Sequence, residues 1–67
     1  MTLKELVRVL PAYTTVYVHD KYGNFAHKGN PHDFVSGPYK SRGNARVCLA
    51  NPIDSYRMEI TVEEEDK

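Results

Sequence analysis

Leu3, Leu6, Val7 and Leu10 recur at i, i+3, i+4 and i+7, which sets four apolar side chains on one helical face. Thr2 followed by Glu5 fits a capping box, and Pro11 stops the helix, so the pattern predicts a first helix over 3–10. The period then changes to two. TTVYVH, residues 14–19, is β-branched and aromatic, with Thr14, Val16 and Val18 on one face and Tyr13, Thr15, Tyr17 and His19 on the other. Residues 20–24, with Gly23 able to take positive φ, predict a turn. Phe25, Ala26 and His27 return as a second strand that Gly29 closes. Asn30, Pro31 and Asp33 suit the cap and first turn of a short helix, in which Phe34 and Val35 are apolar and which ends at Ser36-Gly37-Pro38. Residues 39–44 are a polar loop.

Alternation resumes over 45–50, with Val47 and Leu49 opposite Arg46 and Cys48. A loop at 51–55 leads to the clearest strand, where Tyr56, Met58, Ile60 and Val62 alternate with Arg57, Glu59, Thr61 and Glu63. The order is α-ββ-α-ββ. It predicts an α+β domain over 1–62: a four-stranded, mostly antiparallel sheet with two short helices on one face, followed by an acidic tail at 63–67. The expected core is Leu3, Leu6, Val7, Leu10, Val16, Val18, Phe34, Val47, Leu49, Met58, Ile60 and Val62. The other sheet face would show Tyr13, Thr15, Tyr17, His19, Arg46, Cys48, Arg57, Glu59 and Thr61.

With 67 residues the chain is one domain. Folding at this size buries only about 60% of the surface of the unfolded chain, so an enclosed catalytic cleft is hard to build and a binding surface is easy. The formal charge is zero but bipolar. Residues 21–53 carry Lys21, Lys28, Lys40, Arg42 and Arg46 against Asp33, while Asp54, Glu59, Glu63, Glu64, Glu65 and Asp66 face only Arg57 and Lys67 at the end of the chain. Either pole can steer a partner. Cys48 is the single cysteine, so no internal disulfide forms. The first residues are too charged for a signal peptide, and no apolar run nears the roughly 20 residues of a membrane span. A soluble cytoplasmic protein is expected.

Candidate chemistry is sparse. His19, His27 and His32 are spaced H-x7-H-x4-H, without the close pairs that zinc sites use, so no metal or cofactor is expected. Cys48 lies mid-strand, where a small semi-apolar residue packs and no oxyanion donors gather, so no catalytic residue is assigned. Two binding surfaces remain. Tyr13, Tyr17, Tyr22 and Arg57 are the aromatic and guanidinium types that dominate protein interfaces, with Glu59, Glu63, Glu64 and Glu65 as a row of carboxylates able to imitate a phosphate backbone. Alternatively, Tyr13 and Tyr17 would stack the bases of a single strand while Arg42 and Arg46 hold its phosphates.

LKELVRVLP, TTVYVHD and KYGN, together about the first 30 residues, resemble the opening of small phage and prophage accessory proteins, a group that includes anti-CRISPR and other anti-defence inhibitors. The resemblance implies a non-catalytic inhibitor that works in the bacterial host cytoplasm. It would bind a host protein or complex, such as a nuclease or CRISPR-Cas effector, and block its nucleic-acid site. It carries over no defining motif, and so no functional residue.

Overall fold

The computed structural model describes residues 1–63. It is an α+β domain whose elements run α1 (Leu3–Val7), β1 (Thr15–Asp20), β2 (Ala26–Gly29), a 3-10 helix (Pro31–Phe34), a second 3-10 helix (Lys40–Arg42), β3 (Arg46–Asp54) and β4 (Arg57–Glu63). The capping box at the start of α1 is present: Thr2 Oγ1 accepts from the Glu5 amide, and Glu5 Oε1 accepts from the Thr2 amide at 2.8 Å. The predicted helix over 3–10 is shorter than its apolar face. After Val7 the chain tightens into i→i+3 bonds, Val9 N to Leu6 O and Leu10 N to Val7 O.

The second predicted helix is a 3-10 helix. Its start is a reciprocal Asn30–Asp33 box with Pro31 in the first turn. Gly37 lets the chain double back, because a Cβ there would sit 2.8 Å from the Asp33 Cα. At the β1–β2 turn Gly23 takes a φ of 78°, and the buried Asp20 carboxylate accepts from the Tyr22 and Asn24 amides.

The strand order is β2-β1-β4-β3. Two antiparallel hairpins meet along a parallel β1–β4 seam, with Val16 beside Met58 and Val18 beside Ile60, so the sheet is mixed. Leu3, Val7, Val16, Val18, Phe34, Ile60 and Val62 close the core with Ala45, and Leu6, Leu10, Val47 and Met58 pack partly buried around them. Leu49 was expected among them and is 53% exposed.

β3 is an edge strand, and that edge is blunted. Thr15 N bonds Tyr56 O and Lys21 N bonds Val62 O, so even-numbered residues of β4 turn their backbone toward β1 and odd-numbered ones toward β3. Their register partners Val47, Ala50 and Pro52 therefore turn backbone groups outward. The N-terminal residues cover the first of these: Val47 N donates to Met1 O at 2.9 Å, Leu3 N donates to Ala45 O at 2.8 Å, and Thr2 bridges Arg46. Pro52 has no N–H to offer an incoming strand. Deleting Met1 and Thr2 is expected to cost about 1 kcal/mol through the lost cap. It should also raise concentration-dependent self-association above that of the full chain, read by size exclusion with light scattering.

Candidate functional site

Every residue from Cys48 to Arg57 is exposed, so the far part of the β3–β4 hairpin reaches beyond the core on a molecule 34 Å long. Two register irregularities shape this arm. The first, between Val47 and Leu49, makes Cys48 a bulge residue. A bulge inverts the alternation that follows it. Val47 pairs with core-facing Val62, but Leu49 pairs with Thr61 and joins the open face. The second, between Pro52 and Asp54, falls at Ile53. Leu49, Ile53 and Tyr56 are thus all exposed large apolar side chains, at 53%, 49% and 64%. Tyr13 meets Tyr56 edge-to-face with ring centroids 5.6 Å apart, and the Tyr56 backbone is fixed by Thr15 N on its carbonyl and by Asp54 Oδ1 on its amide. The arm therefore exposes aliphatic and aromatic side chains along its length, with the Tyr13–Tyr56 pair at its tip end.

The residues singled out from sequence fall into two groups on the open face. Tyr17, Arg57 and Glu59 lie on the two central strands, with Tyr17 opposite Glu59 in register and Arg57 hydrogen-bonded to Asp54. Tyr13 packs instead against Tyr56, just before β4. Tyr22 and Glu63 lie at the far end, where the Tyr22 hydroxyl donates to Glu63 Oε2 at 3.1 Å. Glu63 is not the start of a tail: it is the last residue of β4, paired with Arg46 and 3.9 Å from Lys21 Nζ. Its charge is already answered within the chain, which weakens its part in a carboxylate row. Glu64 and Glu65 lie outside the described residues. For the nucleic-acid alternative, Arg46 pairs with Glu63 at the end of β4, while Tyr17 stands opposite Glu59. Arg42 lies over the Phe25 ring at 4.0 Å, on the helix-bearing side of the sheet away from Tyr17.

That other side carries a continuous stack. Phe25, His27, Tyr39 and Phe34 follow one another with centroids 5.3, 4.3 and 5.2 Å apart, and Arg42 lies at the Phe25 end. The stack ties the loop over 39–44 to β2 and the core. It also separates the histidines: His27 sits in the stack, His19 lies on the open face against Thr61, and His32 bonds Ser36 on the first 3-10 helix. Cys48 is an exposed thiol at the bulge.

Two open-face carboxyls titrate below their ordinary range. Arg46 and then the Tyr22 hydroxyl lower Glu63, and Arg57 and then the Tyr56 amide lower Asp54. Such groups stabilise the fold fully above the unfolded carboxylate range, and that contribution is lost as pH falls through the lower folded values. Thermal melts are therefore expected to hold down to about pH 5 and to fall below about pH 4. Arg46→Ala should lower the neutral melting temperature slightly and shrink the acid loss.

Leu49, Ile53 and Tyr56 escaped sequence reading. The available signal was Pro52: a proline inside an apolar run fits an exposed edge strand as well as a loop. No family model, curated protein or solved structure matches the chain. Among the described residues, no helix is long and apolar enough to cross a membrane.

Proposed function

We propose that this chain is a non-catalytic protein-binding inhibitor of the phage anti-defence type, which seats its β3–β4 arm on a host nuclease or CRISPR surveillance complex and blocks the nucleic-acid site there. The observation that carries the reading is the exposed run from Cys48 to Arg57 with Leu49, Ile53 and Tyr56 on it and Tyr13 against it. Nonpolar side chains left in water at this density mark interaction surfaces. Tyrosine beside arginine is the pairing that dominates interface energetics, and Arg57 is held in place by Asp54. The arm is two-stranded and anchored on the central seam, so little ordering entropy is lost on binding. In this account Glu59 supplies the charge that steers the encounter, since Asp54 and Glu63 are paired within the chain.

The reading is tested by adding the purified chain to a CRISPR effector assay and, in parallel, to immobilised single-stranded oligonucleotide. Loss of target binding by the effector at stoichiometric ratios, with no capture by the oligonucleotide, is expected. Capture that falls steeply with salt, with the effector unaffected, would instead make the chain a single-strand binder.

A further inference from the structure

On the open face, over β1 and β2, lies a depression of about 360 Å³ lined by Tyr17, Val18, His19, Ala26, His27, Lys28 and Glu59. Ligand sites run from about 300 to 1,000 Å³ and combine apolar walls with a few convergent polar groups. This one has that make-up. Ala26 is the small residue opposite His19 in register, and Lys28 is opposite Tyr17, so a low floor is left between taller side chains. The Lys28 ammonium stands 5.9 Å from the Tyr17 ring centroid.

Glu59 is the distinctive group. The other open-face carboxylates are occupied, Asp54 by Arg57 and Glu63 by Arg46 and Lys21. Among the described residues Glu59 meets only His19, at a loose 3.4 Å, while the same imidazole nitrogen lies 3.0 Å from Thr61 Oγ1. A half-exposed carboxylate in register with an aromatic ring, and an ammonium over that ring, ask for a flat ligand with two adjacent donors and an anionic arm.

We propose that this depression binds a guanine nucleotide. The base takes the place of the Lys28 ammonium over the Tyr17 ring, its N1–H and N2 amino groups donate together to the Glu59 carboxylate, and the displaced ammonium meets its phosphate. Guanine is the base whose pairing edge carries two neighbouring donors, which match the two oxygens of one carboxylate. Adenine presents an acceptor at N1. The depression shares Tyr17 and Glu59 with the face proposed to meet the protein partner, but its test needs the free chain alone, so nucleotide binding and partner binding stand or fall separately.

The test is a titration of the isotope-labelled full chain with GMP, AMP and guanosine, followed by amide NMR. GMP is expected to move the signals of Tyr17, His19, Lys28 and Glu59, and AMP to bind at least about tenfold more weakly, the worth of one bidentate contact. Glu59→Gln should bring GMP down to the AMP level with the melting temperature unchanged. Lys28→Ala should weaken GMP and leave guanosine as it was. Equal binding of GMP and AMP, no shifts at millimolar nucleotide, or full GMP binding by the folded Glu59→Gln variant would overturn the proposal.

Discussion

Phe34→Ala is expected to leave the chain only marginally folded at room temperature. Phe34 is fully enclosed and is the largest buried side chain among the described residues. It stands on the first 3-10 helix, fills the space between that helix, α1 and the sheet, and stacks on Tyr39. Truncating a buried phenylalanine costs about 3–5 kcal/mol, in lost burial and in the cavity left behind. A domain this small has a net stability near about 5 kcal/mol, so one such loss consumes most of it. The Tyr39–His27–Phe25 stack would lose its inner member at the same time, and the 39–44 loop its anchor. Urea titration followed by far-ultraviolet circular dichroism reads the result. Phe34→Leu, which keeps most of the volume, should cost less and retain a cooperative transition. An unchanged midpoint for Phe34→Ala would show that the core is organised around other residues.

Leu49→Asp combined with Tyr56→Ala is expected to weaken partner binding at least about a hundredfold while leaving the fold intact. Both side chains are mostly exposed, and exposed substitutions usually move stability by no more than about 0.5 kcal/mol each. The backbone bonds that hold the arm, such as Thr15 N to Tyr56 O, survive the change. Calorimetric or surface-based affinity against the captured partner, with melts as control, separates a lost contact from a lost fold. Tyr22→Ala, at the far end of the sheet, should by contrast leave affinity within a few-fold.

The parts of this fold that local chemistry dictates were legible in the sequence. The Thr2–Glu5 box, the Asn30–Pro31–Asp33 start and the Gly23 turn each depend on residues within four positions of one another, and each is present as read. The face of β4 that carries Ile60 and Val62 follows from strict alternation. What escaped reading depends on contacts distant in sequence. The parallel β1–β4 seam joins residues about 42 apart, and no local pattern names a strand's partner. The bulge at Cys48 turns Leu49 outward although Val47 and Leu49 read as one face, and Pro52 reads as a loop although an edge strand accommodates it. Glu63 reads as the start of a tail, but its partners Arg46, Lys21 and Tyr22 belong to two other places in the chain, β3 and the β1–β2 turn. The candidate site was therefore half visible: Tyr13, Tyr17 and Arg57 follow from composition and strand parity, and Leu49, Ile53 and Tyr56 follow only from the bulged hairpin.

If the exposed arm is where this protein acts, amide hydrogen exchange on the chain alone and in complex with its captured partner locates the contact directly. New protection over residues 48–57 and at Tyr13, with β2 and the 39–44 loop unchanged, is the predicted result. Protection confined to the helix-bearing side around Lys40 and Arg42, with the arm exchanging as freely as before, would contradict it.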